Sequence, residues 1–209
     1  MAQICWSLPD NKLTMKITFF RNITLIPILL IMSLFNGCTS HAPVPTPEHV
    51  DIDRFMGRWY VLGYTPIIVD KQAHNATEHY RLDEDNKIQT TYQFRDGGFD
   101  AELKTYTPVG WVEEDVASNA EWQMQFIWPF SSDYVILYLA EDYSRTIIVH
   151  PNRKYVWIMQ RETQISDADF EAMIQKIEAE GFDRSLIKRL PHDWSGETER
   201  LAEMKAAGL

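Results

Sequence analysis

The chain has 209 residues, enough for one domain that buries a core without disulfides. Its formal net charge of -10, with no lysine- or arginine-rich stripe, argues against nucleic acid as a partner. Both cysteines, Cys5 and Cys38, precede the globular part, so the domain has no internal disulfide and no thiolate for metal or nucleophilic chemistry. Aromatics make up 12% of the residues, seven of them Trp, which suits a fold with an apolar interior to line.

Met15 to Cys38 read as an export signal. Lys16 and Arg21 give a positive start. Ile23 to Phe35 form an apolar stretch of 13 residues, within signal-peptide range. A membrane-spanning helix needs roughly 20, and Pro27 also argues against a permanent span. Residues 1–14 hold Trp6, Pro9 and Asp10 and no apolar run, so Met15 is the expected start. The stretch closes Leu34-Phe35-Asn36-Gly37-Cys38, which resembles the lipobox of bacterial lipoproteins. Gly37 and Cys38 match it; Phe35 stands where Leu is usual, and Asn36 is uncommon there. The resemblance implies removal of residues 1–37 and lipid attachment at Cys38 through several acyl chains, palmitate among them. Thr39, not Asp, follows, which implies a lipid-anchored place at the outer membrane of a bacterial cell envelope. Ordinary cleavage that leaves a free thiol is the alternative. The remaining chain carries 17 basic and 29 acidic residues, a charge of -12. The acyl group, not electrostatics, must then hold it to an anionic membrane.

Residues 38–50 are the lipidated cysteine and a spacer whose three prolines and lack of periodicity predict an extended tether. The domain is expected over 51–190. Short β-like runs follow at Arg58–Thr65, Ala76–Leu82, Lys87–Phe94, within Phe99–Val112, and at Glu121–Ile127, Tyr134–Leu139, Arg145–Val149 and Tyr155–Gln160. Asp96-Gly97-Gly98 is a hairpin signal, and Trp122, Met124 and Phe126 alternate with Gln123 and Gln125 at a period of two. Eight short strands in meander order predict an all-β fold: an up-and-down antiparallel β-barrel or a sandwich. One helix is expected at about 167–180. Ser166 caps it, Phe170, Met173, Ile174 and Ile177 form a packing stripe, and Gly181 ends it. Residues 191–209 read as a tail with a short surface helix or a frayed end.

Asp51-Ile52-Asp53-Arg54-Phe55-Met56-Gly57-Arg58-Trp59-Tyr60 resembles the lipocalin signature, in which a short entry helix precedes Gly-x-Trp on the first strand. Arg161 ends the eighth strand, where lipocalins pack an arginine over the signature tryptophan. Tyr134 through Asp142-Tyr143 resembles the family's middle motif, with Glu141 where Thr is usual. The resemblance covers about residues 51–190 and is nearest the apolipoprotein D-like lipocalins of bacterial lipoproteins. It implies an eight-stranded antiparallel barrel with a C-terminal helix packed on it. It also implies a small amphiphilic lipid as ligand, a lysophospholipid or fatty acid, carried or stored in envelope maintenance. Gly57, Trp59 and Arg161 have structural roles in this reading.

The alternation and the resemblance together put Glu78, Tyr80, Thr90, Tyr92, Phe94, Trp122, Met124, Phe126, Val135, Leu137 and Leu139 on the inner face. Large apolar residues on one sheet face fill a core as readily as they line a cavity. An inward Glu78 is costly unless it lies near the mouth, where a cationic head group such as choline or ethanolamine would meet it. No cofactor is implied. The six histidines show no metal-ligand spacing and no nucleophile motif occurs, so the reading is not an enzyme. Catalysis on a lipophilic substrate would need two titratable groups meeting inside the cavity. The other alternative is a structural or interaction lipoprotein with a filled barrel, acting through the mouth segments Ile67–Asn75, Asp96–Phe99 and Trp128-Pro129-Phe130. The last segment is expected to be a buried loop anchor. Monomer and homodimer both stay open.

Overall fold

The computed structural model describes residues 42–208. The signal stretch, Met15 and Cys38 lie outside the described residues. A short helix α1 (Ile52–Phe55) leads into strands β1 (Gly57–Tyr64), β2 (Ala73–Leu82), β3 (Ile88–Asp96), β4 (Leu103–Tyr106) and β5 (Val109–Val112). These are followed by β6 (Glu121–Ile127), β7 (Phe130–Leu139), β8 (Arg145–Val149) and β9 (Val156–Gln160). Helix α2 (Asp167–Ala179), a short strand β10 (Lys188–Arg189) and helix α3 (Thr198–Ala206) complete the chain.

From β1 to β9 neighbouring strands pair antiparallel, with β4 and β5 both on β3, and β9 returns to β1 through Tyr60↔Gln160 and Tyr64↔Trp157, so the sheet closes. Closure removes the unpaired edges of an open sheet. β4 and β5 are one wall strand broken at Thr107-Pro108, because both pair with β3 and Pro108 has no N–H to give the ladder. The wall is therefore an eight-stranded barrel. β10 takes over the edge of β1 at Gly63 and Tyr64, where β2 has diverged.

Two apolar clusters divide the side chains. Trp59, Val61, Tyr80, Ile88, Tyr92, Phe94, Trp122, Met124, Tyr134, Ile136, Ile148 and Met159 fill the interior. Val135, Ile147, Val149, Val156 and Ile158 face outward and bury the stripe of α2, Met173, Ile174 and Ile177, against the wall. Ser166 caps α2 by accepting from the Asp169 N–H at 3.0 Å. Gly181, at φ +80°, makes the left-handed turn after it that costs other residues more.

Two segments outside the wall are more tightly held than expected. Residues 42–50 do not stand off as a spacer. Ala42 O accepts from Arg153 Nη2 at 2.8 Å, Val44 joins the cluster under α2, and Val50 is buried in the interior cluster. The tail forms α3, but docked rather than frayed. Glu197 accepts both prongs of Arg95 at 2.8 and 2.9 Å, and Arg200 donates to Asn75 O and Thr77 Oγ1, each at 3.0 Å. Burial pushes the Glu197 carboxyl up, but hydrogen bonds from Arg95 and Asn75 and the charge of Arg200 outweigh it and hold it low. His192 is driven down to about 4 by burial, so it is neutral. Trp194 Nε1 donates to its Nδ1, leaving Nε2–H for Val61 O at 2.8 Å.

Candidate ligand-binding site

The barrel has one sealed end. α1 turns across it, and Phe55 sits with its ring 5.0 Å from Trp59, 5.1 Å from Trp122 and 5.7 Å from Tyr80. Arg161 locks this plug. Its guanidinium lies 3.7 Å from the Trp59 ring centroid and donates to the carbonyls of Arg54, Phe55, Met56 and Arg58 at 2.7–3.1 Å. Burial brings its pKa down to about 10, still charged at neutral pH. Gly57 has φ +90°, a backbone conformation that strains any residue with a side chain, and a Cβ there would stand in contact with Arg161 Nη1 at 3.4 Å. These three residues sit at the closed end.

The other end is open and framed by four connections: residues 65–72 after β1, the β3–β4 hairpin, Trp128-Pro129 between β6 and β7, and residues 150–155 before β9. From this mouth a cavity of about 30 Å³ reaches inward between Phe126, Ser132, Asp133, Tyr92, Trp157 and Glu78. That is room for about one water molecule. The roomier hollows, of about 380 and 360 Å³, lie on the outer face beside the C-terminal segment.

Of the expected inner residues, Tyr80, Tyr92, Phe94, Trp122 and Met124 belong to the interior cluster, and Leu139 packs against it. Glu78, Thr90, Tyr92, Met124 and Phe126 line the cavity, with Phe126 half-exposed at the mouth. Val135 and Leu137 do not face inward: both belong to the outer cluster under α2. The register fixes the phase, because Trp122 opposes Tyr134, so Tyr134 and Ile136 point in instead. A bulge between Ile136 and Tyr138 then shifts the strand and returns Leu139 to the interior. Every residue from Tyr134 to Leu139 is apolar or aromatic, so the sequence offers no alternation from which to read the phase.

Glu78 is not at the mouth. It opposes Trp59, near the closed end, and accepts a hydrogen bond from Tyr80, whose hydroxyl lies 2.5 Å from that of Tyr134. Burial, with a contribution from the Asp70 charge, lifts it to about 8, so at neutral pH it is mostly the uncharged acid. Asp70, unmarked in the sequence reading, drops in from the loop after β1. It accepts from Tyr92 Oη at 3.0 Å and from the Ile67 N–H at 2.8 Å, while Tyr64 Oη donates to its carbonyl at 2.7 Å. Burial raises its carboxyl despite these hydrogen bonds. Burial likewise lifts Tyr64 to about 12 and holds Tyr92 and Tyr134 well above the usual tyrosine range. The inner polar groups are thus two buried carboxyls hydrogen-bonded by tyrosines, Glu78 by Tyr80 and Asp70 by Tyr92. Among the described residues no group of three or more His, Asp or Glu is gathered as a metal site.

The segment Trp128-Pro129-Phe130 is not a buried anchor. Trp128 is 81% exposed, Phe130 75% and Ile127 73%. On the neighbouring loop Ile68 is 87% exposed.

Residues 50–192 match the family model of the lipocalin-like domain. The chain is 26% identical over 178 residues to the outer membrane lipoprotein Blc of Escherichia coli K12, covering 79% of this chain and 94% of that one. It is 25% identical over 150 residues to temperature-induced lipocalin-1 of Arabidopsis thaliana, covering 68% and 79%. Among solved structures, insecticyanin from the tobacco hornworm Manduca sexta superposes with a TM-score of 0.58 at 17% identity, covering 75% of this chain and 87% of that one. The cockroach allergen Per a 4 superposes at 0.55 and 17%, covering 76% and 99%.

Proposed function

Because this chain belongs to the lipocalin-like domain family, we propose that its barrel binds one single-chain amphiphile, a lysophospholipid or fatty acid, for lipid carriage or upkeep in a bacterial envelope. The observation that carries the reading is the asymmetry of the barrel. One end is sealed by packed aromatics and a fixed arginine; the other opens at Phe126 onto an aromatic passage. Burying a tail in such a passage is the driving term, at ~0.8 kcal/mol for each CH₂ taken from water. The passage must widen on entry. Met124, an unbranched side chain that repacks readily, and the Asp70 loop, held by a few hydrogen bonds, are the parts that yield. A two-chain lipid would need about twice the volume. The likeness to Blc, named an outer membrane lipoprotein, supports an anchor on Cys38 and an outer-membrane location for this chain.

A second reading is favoured by the cavity's size. At about 30 Å³ the barrel is nearly filled by its own side chains and would act through its surface. Calorimetry on the Cys38→Ser chain with a chain-length series separates the two. Lipid binding predicts a roughly fourfold tightening per added carbon and a lyso lipid stronger than its diacyl form. No heat of binding, or a flat series, selects the filled barrel.

A further inference from the structure

The strap formed by residues 42–50 has a direction. Val50 donates its N–H to Ser118 O in the β5–β6 connection and is buried with the closed-end residues. Ala42, at the other end of the strap, is bound to Arg153 in the β8–β9 turn, at the mouth. The strap therefore runs up the outside of the wall and leaves the barrel at its open end. Cys38 precedes Ala42 by four residues in the sequence.

The rim itself is two-sided. In barrel order the β6–β7 hairpin, the β8–β9 turn and the β1–β2 loop are consecutive connections at the mouth. This arc carries the exposed Ile127, Trp128, Phe130, Ile68 and Val69. It also carries the exposed Lys154 and Lys71; Lys71 lines one hollow with Lys188 and Arg189, on a chain whose net charge is strongly negative. The β3–β4 hairpin, across the mouth from the β8–β9 turn and joined to the β1–β2 loop by the Gly97 N–H donating to Gln72 O at 2.9 Å, presents Asp96, Asp100 and Glu102. Apolar tips, an aromatic of the kind that favours membrane interfaces, and basic residues stand together on the arc where the strap departs, with Asp133 its one exposed acid on β7; the acidic hairpin stands across from the β8–β9 turn.

We propose that this arc docks onto the lipid bilayer surface, with Trp128 and Phe130 set among the acyl chains. The barrel leans on its β6–β9–β1 side, mouth toward the membrane, and the acidic hairpin is lifted clear. The direction of lean rests on the Cys38 anchor; the apolar arc is seen independently of it. Lipid then enters or leaves the barrel along the Phe126 side of the mouth without crossing open water.

The test uses the full chain, processed in a lipoprotein-producing host and reconstituted in vesicles of phosphatidylethanolamine and phosphatidylglycerol with brominated acyl chains. Bromine quenches a tryptophan only on close approach. Wild-type fluorescence should be quenched, and most of that quenching should be absent in Trp128→Phe. A Trp128→Phe, Phe99→Trp double variant should recover none of it, since Phe99 is on the acidic hairpin. Vesicle-bound protein with Trp128 unquenched, or a tryptophan at 99 quenched as strongly as Trp128, overturns the docking. The intact mass of the same sample reports acylation at Cys38, which separates a missing anchor from an undocked rim. Residual quenching in Trp128→Phe reports lipid near the interior Trp122 and Trp157, which bears on the ligand and not on the docking.

Discussion

The two ends of this barrel are built from the same residue types to opposite effect. At the closed end Phe55, Trp59, Tyr80 and Trp122 touch ring to ring, and Trp59 Nε1 and Arg161 share the Phe55 carbonyl. At the open end Ile127, Trp128 and Phe130 touch mostly solvent. The contrast teaches that the aromatic content has two jobs. One set seals a floor, where rings pack on rings and the Trp59 N–H has a partner. Another is left exposed at the mouth, which is where a lipid or a bilayer would supply the missing contacts.

That contrast breaks first at the floor. Trp59→Ala removes a fully buried indole and the stacking surface for Arg161, and should cost ~3–5 kcal/mol in denaturant unfolding. Arg161→Ala takes a donor from four carbonyls, of which that of Phe55 keeps the Trp59 N–H, and should cost less, ~2–3 kcal/mol. Both should keep the order of preference among ligands, because neither residue reaches the cavity. A changed preference at unchanged stability would move them into the site.

Just inside the closed end lies Glu78. Its folded pKa of about 8 exceeds the ordinary 4.5, so the folded state holds this proton more tightly than the unfolded chain. Stability from this group is full below about pH 4.5 and is lost as the pH rises through about 8. Glu78→Gln removes that slope and should leave the protein on the order of 2 kcal/mol more stable than wild type at pH 9, with little difference at pH 4. A wild-type pH profile that is flat from 5 to 9 after allowing for other groups would place a charged Glu78 in contact with water.

At the rim the expectation is smallest. Phe130→Ser should change stability by no more than ~0.5 kcal/mol, since the side chain has few partners to lose. A large loss there would mean that the rim packs within the protein and is not a docking edge.

The sequence made the floor easier to read than the mouth. Gly57, Trp59 and Arg161 fall in a motif with a local physical reason, and the strands of the wall alternate wherever one face meets solvent. β7 hid its phase because both of its faces are buried, one inside the barrel and one under α2, and a bulge interrupts it. Asp70 gave no signal because its role depends on a loop folding back to Tyr92, far along the chain. The prolines before Val50 read as a free tether, and only the contacts of Ala42 and Val44 show a strap laid on the wall. Glu197 and Arg200 looked like surface charge in a polar tail, yet their partners Arg95, Asn75 and Thr77 come from β2 and β3.

The central claim, one single-chain lipid held in the barrel, is tested most directly by native mass spectrometry of the protein taken from its own membrane. The account predicts a bound mass of one fatty acid or one lysophospholipid per chain, released when the barrel unfolds. A two-chain lipid in that place, or a barrel that arrives empty and stays empty in excess lysophosphatidylethanolamine, would contradict it.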